Sequence, residues 1–263
     1  MKQLLFILLL LSPFFSSAQQ HVRWPKGKKA AIILTYDDAL KSQIDIAIPQ
    51  LDSANLKGTF FLDTYFNEQD LSRWRAAAKK GHELANHTLY HPCAASSVKT
   101  KPEYSSENYT LNSIIREIAT MNKLLYTIDN KTSRTYAYPC TETVVGGGNY
   151  LDTLRRSSLV KYARSGGDKN SIITDFKTLD NFQVPSWAAA NNPTGDELTD
   201  FVKRTQTAGG LGIFMFHGVG GDYLQISAQA HRQLLKYLKD HEKEIWITTF
   251  QEVMDYVNKN LKQ

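Results

Sequence analysis

The sequence predicts an α/β barrel of seven to eight mainly parallel strands, and three observations carry that prediction. Short apolar runs alternate with amphipathic stretches of helical length along the chain, the pattern of βα units whose sheet is buried on both faces. About seven or eight such runs can be counted in 263 residues, which favours a closed or nearly closed barrel over an open sheet. The polar residues with chemical potential fall directly after those runs, and in a parallel barrel that position is the C-terminal rim, where active sites of the fold lie.

Residues 30–35 form the first expected strand, an unbroken apolar run, and residues 44–56 read as a helix despite Pro49. Gly-Thr-Phe-Phe-Leu at 58–62 is the second strand. A helix over 71–80 stops at Gly81, which tolerates the left-handed C-cap conformation. Residues 82–86 are a third strand that runs into two histidines, and 92–107 is polar and turn-rich, a long loop. Ile114, Ile115, Ile118, Met121, Leu124, Leu125 and Ile128 recur at helical spacing, so a helix spans 111–128. Strands follow at 135–138, 159–163 and 182–187. Gly146-Gly147-Gly148 is a flexible turn without the Lys-Ser/Thr of a phosphate loop. Thr194-Gly195-Asp196-Glu197 has capping-box spacing and opens a helix through Arg204. A strand at 212–216 ends at His217-Gly218, a helix runs from Ser227 to about Asp240, a last strand covers 245–248, and Thr249 caps the last helix.

Composition excludes several classes. Hydrophobic content of 42% and charged content of 22% fit a soluble globular chain without large-scale disorder. The net charge of +5 is spread along the chain, and basic blocks such as Lys26-Gly27-Lys28-Lys29 read as solvated edges. No nucleic-acid motif or solenoid repeat is present. Residues 1–18 have the layout of a signal peptide: Lys2, an apolar core from Leu4 to Leu11, then Ser16-Ser17-Ala18 before a cut ahead of Gln19. The apolar core is too short to span a bilayer. No cysteine lies beside the cut to carry a lipid, so the mature chain, 19–263, is expected to be exported as one catalytic domain without a membrane anchor. Two cysteines, Cys93 and Cys140, are either separate small apolar residues or a disulfide that export would permit.

Two stretches hold the chemistry. Thr35-Tyr36-Asp37-Asp38 ends the first strand with adjacent carboxylates, and Asn86-His87-Thr88-Leu89-Tyr90-His91 carries two imidazoles four residues apart. An Asp-Asp pair also makes a good helix cap, and two histidines at this spacing also arise on one face of a solvated helical turn. Placed together at the ends of different strands, they make a three-ligand site for a divalent metal with positions left for water or substrate. The spare carboxylate is where a general base would sit. His217, ending a strongly apolar strand, suits a general acid. His21, His82, His231 and His241 sit in polar or helical settings and receive no catalytic role.

Thr-Tyr-Asp-Asp, His-Thr-Leu-Tyr-His, Ala-Tyr-Pro-Cys (137–140), the strand ending in Trp187, and Phe-Met-Phe-His217 resemble, in order, the five motifs of the polysaccharide deacetylases. This is the NodB homology domain, or carbohydrate esterase family 4, and the resemblance runs from about Lys29 to Phe250. It implies a distorted (β/α) barrel, with Asp37 as catalytic base, His217 as general acid, and Asp38, His87 and His91 holding a divalent metal, by default Zn²⁺. It also implies that Cys140 supplies a backbone N–H to the oxyanion and that Trp187 lines the acetyl pocket, with Tyr138 and Pro139 beside them on the substrate side. The substrate implied is an acetylated oligo- or polysaccharide.

Two departures stand out. The family commonly carries an arginine in the third motif and an aspartate just before the fourth-motif tryptophan, a pair that steadies the base. Ala137 and Ser186 occupy those places here, and Arg134 lies three residues early. The expected function is removal of acetyl from N- or O-acetylated sugars by metal-activated water. An O-acetyl esterase on plant or capsular polysaccharide is one alternative, since an ester tolerates a less well-steadied base. A glycan-binding module that has kept the fold is another. A non-haem iron oxygenase uses similar ligands, but gives the second aspartate and His217 no task.

Overall fold

The computed structural model describes residues 22–98 and 101–261. The expected signal segment lies outside the described residues. Among them no helix is long and apolar enough to cross a membrane.

Strand β1 (Ala30–Asp37) is buried along its whole length, as its unbroken apolar run requires. A π-helical turn over Gln43–Ala47 leads into α1 (Ile48–Ala54). Pro49 explains the widened turn: a proline ring clashes with the carbonyl four residues back, and Ile48 N–H bonds instead to Gln43 O, five back. The helix stops at Asn55, which is left-handed. Then come β2 (Thr59–Leu62), α2 (Leu71–Lys79), β3 (Glu83–Asn86), α3 (Leu111–Asp129) and β4 (Thr135–Ala137). A small hairpin, β5 (Val144–Val145) and β6 (Gly148–Asn149), precedes α4 (Leu151–Ser157) and β7 (Tyr162–Arg164). The chain closes with β8 (Ile172–Ile173), β9 (Trp187–Ala188), α5 (Gly195–Ala208), β10 (Leu211–Phe216), α6 (Ala228–Asp240), β11 (Ile245–Ile247) and α7 (Phe250–Asn260). The expected capping box is formed: the Thr194 hydroxyl accepts the Glu197 N–H.

Seven strands run in the order β7-β4-β3-β2-β1-β10-β8, with β11 against β1 and β9 against β10. All pairs in this sheet are parallel except β10 with β8. Val184 bridges β7, exchanging hydrogen bonds with Ala163 and Ser165, while Trp187 and Ala188 of the same segment pair with Phe214 and Met215. The curled sheet is thereby drawn round on itself through a thin seam, in keeping with the distorted barrel expected.

Strand alternation divides the side chains into two environments. Ile32, Leu34 and Tyr36 of β1, with Phe60, Leu62, Phe214 and Phe216, pack outward under α1, α2, α5 and α6. Ala31, Ile33, Phe61, Ala85, Ala137, Leu211 and Ile213 fill the interior, which Phe250, Val253, Met254 and Val257 of α7 close at the N-terminal end with Val22 and Trp24. Asp37 is in step with Ala31 and Ile33, so the same alternation turns its carboxylate inward at the C-terminal rim.

Candidate active site

Asp37 is the last residue of β1, and the chain then turns through two left-handed residues, Asp38 (φ 75°) and Ala39 (φ 51°). Aspartate tolerates this region better than most residues. The turn sends the two adjacent carboxylates to different partners. Asp37 faces the interior, and Asp38 faces the end of β3.

The two histidines do not lie on a helical turn, which corrects the expectation from their spacing. After β3 the chain makes an Asx turn in which Asn86 Oδ1 accepts the Thr88 N–H at 2.8 Å, and Thr88 Oγ1 then accepts the His91 N–H at 3.0 Å. Thr88 and His91 are both left-handed, at φ 68° and 49°. Glu117 of α3 clamps the loop from outside, accepting the Leu89 and Tyr90 N–H groups at 3.2 Å each. The two imidazoles come together with ring centroids 4.7 Å apart.

Asp38 Oδ1 lies 3.1 Å from His87 Nε2 and 3.3 Å from His91 Nε2, and these three atoms fall within 4.8 Å of one another. His87 Nδ1 sits 2.8 Å from Ala137 O and donates its proton there, which leaves Nε2 as a lone pair aimed at the carboxylate. Asp38 Oδ1 is buried and makes no hydrogen bond. Lone pairs converging on a common point without a proton between them are what a divalent cation resolves, so the donor set fits one. Burial works against ionisation of Asp38, yet the adjacent imidazole of His87, with those of His91 and His217, holds its carboxyl well below the usual range. The pKa of His91 is lowered too, to about 4, by burial and then by the neighbouring His87. His91, Cys93 and Cys140 also lie close together, but both sulfurs are tied up in a disulfide and offer no thiolate.

Asp37 is 2% exposed and ion-paired with Arg164 of β7. Arg164 is held in turn by the Ser186 hydroxyl at 3.1 Å and lies 5.1 Å from the centre of the Phe61 ring. The other carboxylate oxygen of Asp37, Oδ1, is buried without a hydrogen bond. This corrects the expectation that the base has lost its partners. Ala137 is paired with Arg164 across β4 and β7, so the guanidinium comes from the neighbouring strand at the same height. Ser186, in the place of the expected aspartate, accepts from the arginine instead and donates its hydroxyl to Ser165 O. Sequence reasoning ended the strand at Ala163 and so set Arg164 outside it. The signal was the alternation of Tyr162 and Arg164 on one face. Arg134 has a different task, a buried ion pair with Asp129 at the α3–β4 turn.

His217 follows β10, with Nε2 3.7 Å from Asp38 Oδ2 and a buried Nδ1 that makes no hydrogen bond. Gln43 ties the ends of β1 and β10 together, its amide donating to the Asp37 and His217 carbonyls. Asp63, at the end of β2, is a buried carboxyl the sequence reading passed over. Burial and the charge of Asp38 push it up to about 7.

Asp37, Asp38, His87, His91 and His217 line the floor of a cleft of about 820 Å³, walled by Tyr65, Tyr90, Tyr104, Tyr138 and Tyr223. Cys140 lines it too, left-handed at φ 50° and bonded to Cys93. The bridge settles the open question over the two cysteines. Closing a loop across a sequence separation of 47 restricts the unfolded chain by roughly 4 kcal/mol on the chain-entropy model, and it joins the His91 loop to the β4 loop. Trp187 is a further correction. It pairs with Phe214, an outward position, and packs on Phe201 and Phe214, while Ala188 faces the cleft. Pro139 is buried and is not among the residues lining the cleft, whereas Tyr138 is. His82 and His231 are fully buried with both ring nitrogens partnered.

A polysaccharide deacetylase family model matches residues 25–155. A gellan lyase from a Bacillus species is 28% identical over 268 residues, covering 89% of this chain, which spans only 10% of that protein's length. Among solved structures, a polysaccharide deacetylase of Mycobacterium smegmatis superposes with a TM-score of 0.64 at 15% identity, covering 91% of this chain and 93% of its own. A peptidoglycan deacetylase of Bacillus subtilis gives 0.56 at 18% identity, with 89% and 93% covered. At these identities the structures show a shared fold.

Proposed function

Because the chain belongs to the polysaccharide deacetylase family, hydrolases acting on acetylated carbohydrates, we propose that it is a divalent-metal-dependent enzyme removing acetyl groups from N-acetylated sugars of an oligo- or polysaccharide. One observation carries this reading: a buried Asp37–Arg164 pair stands beside the Asp38, His87 and His91 cluster, on the floor of a cleft with His217 at its other side. Asp38, His87 and His91 would hold the metal, by default zinc. When bound, such a cation supplies Lewis-acid polarisation of the acetyl carbonyl and a water of lowered pKa.

The chain's own groups do the rest. Asp37 takes a proton from the attacking water through Oδ1, the oxygen left without a hydrogen bond, while Arg164 holds Oδ2. A positioned base of this kind contributes about 10²- to 10⁴-fold. The Cys140 N–H would donate to the oxyanion, its residue tied by the disulfide to the His91 loop. His217 gives a proton to the departing nitrogen. Tyrosine walls suit a sugar, presenting an apolar ring face and a polar edge. Arg164 also removes the reason for preferring an ester substrate, which was a base without partners.

The signal-like residues 1–18 and the Cys93–Cys140 bridge together support export to an oxidising compartment, with 19–263 as the catalytic domain. Acetate release from chitooligosaccharides, peptidoglycan fragments and acetylated xylan, with and without chelator, tests the function. Release that chelator abolishes is expected from at least one. No release from any of them by zinc-loaded protein would overturn the enzymatic reading in favour of a glycan-binding module.

A further inference from the structure

The loop after His217 sets one more group against the metal cluster. Tyr223 donates its hydroxyl to Asp38 Oδ2 at 2.9 Å, from a side chain that lines the same cleft. The loop is built rather than loose. Gly218 N–H bonds to Tyr223 O at 3.1 Å, Ile226 N–H to Gly218 O at 3.0 Å, and Gly220 N–H to Ile226 O at 2.8 Å. Asp222, one residue before the tyrosine, accepts the Ser42 N–H at 2.8 Å, and Ser42 Oγ accepts the Val219 N–H at 3.1 Å. Ser42 lies just beyond the Asp37-Asp38 turn, so ligand and tyrosine share one anchor. A Cβ on Gly218 would come within 2.0 Å of Gly221 O, so the loop admits only glycine there.

The two oxygens of Asp38 are thus divided. Oδ1 faces both histidine Nε2 atoms with no hydrogen bond, and Oδ2 is taken by the Tyr223 hydroxyl. A carboxylate held at neither oxygen can turn Oδ1 away from the histidines. The hydrogen bond from the Tyr223 phenol to Oδ2 resists that turn. We infer that Tyr223 is a positioning residue: it fixes the Asp38 carboxylate with Oδ1 toward the two histidines, where a divalent cation would be held. No motif in the sequence marks this tyrosine, and its exposure of 54% would suggest a mere wall of the cleft.

The inference rests on the metal-dependent reading above, and its test separates the two. Zn²⁺ affinity is measured by competition with a chromophoric chelator for the wild type, Tyr223→Phe and Tyr223→Ala, with thermal unfolding of the metal-free proteins alongside. Loss of an outer-shell partner typically costs 10- to 100-fold in metal affinity or activity. Tyr223→Phe, which keeps the ring, is expected to weaken Zn²⁺ binding about tenfold or more while leaving metal-free unfolding unchanged. Tyr223→Ala should bind Zn²⁺ no worse than Tyr223→Phe. Wild-type affinity in Tyr223→Phe overturns the inference and leaves the deacetylase reading standing. So does a loss seen only in Tyr223→Ala, or one matched by a fall in metal-free stability. A wild type that binds no Zn²⁺ overturns the metal reading and this inference with it.

Discussion

Two buried carboxylate sites share one barrel interior and are treated in opposite ways. Glu83, the first residue of β3, has every neighbour it needs: the Thr59 hydroxyl at 2.8 Å and the Gln251 N–H at 3.0 Å on one oxygen, and the Thr135 hydroxyl at 2.5 Å on the other. It fastens α7 to the base of the barrel. At the rim, Asp37, Asp38, Asp63 and His217 each keep a buried polar atom with no hydrogen bond, and Asp38, Thr88, His91 and Cys140 are held left-handed. Backbone strain and unused lone pairs each cost free energy and persist where surrounding structure imposes them. The satisfied carboxylate holds the fold together, and the unsatisfied ones are left available for chemistry.

That contrast can be broken at several points. Asp37→Asn keeps the shape but removes the base, so acetate release should fall by about 10²- to 10⁴-fold, with Zn²⁺ binding retained in the same competition assay. Full activity in this variant would end the assignment of Asp37 as base. Arg164→Met strands the Asp37 charge in the interior and is expected to lower unfolding free energy by about 3–5 kcal/mol in a denaturant titration. Adding Asp37→Asn to it should restore much of that stability without restoring turnover. A double variant no more stable than Arg164→Met would mean that the stranded charge is not the cause.

The smallest effect belongs to the base of the barrel. Burial, against hydrogen bonds from Gln251, Thr135 and Thr59, raises the pKa of Glu83 from 4.5. The folded state therefore holds that proton more tightly than the unfolded chain. Its contribution is complete below pH 4.5 and is lost as pH rises through the raised value. Glu83→Gln should remove that part of the decline in stability, measured as urea midpoints across the window, and leave acetate release unchanged. Altered turnover in Glu83→Gln would erase the division between the two ends.

Much of this was legible in the chain itself, for physical reasons. Apolar runs ending in Asp37 and in His217 declare buried strands, and a polar residue at such an end has few structural excuses. Trp187 and Arg164 show where the reading gave out. In a two-residue strand nothing but register decides which side chain faces inward, and a slip of one reverses the answer. Trp187 pairs with outward Phe214, so Ala188 took the inner place. Arg164 was lost because a charge after a short apolar run reads as the start of a loop, unless its partner is already known.

The register between β4 and β7 has a wider meaning for how such enzymes vary. Ala137 and Arg164 stand side by side at one level of the barrel wall, so either strand can deliver a guanidinium to the same point. What Asp37 requires is a guanidinium at one location, and two addresses in the chain lead to it. An arginine can therefore change address while the ion pair it serves stays where it is, and a comparison made column by column would record a loss where the molecule has none.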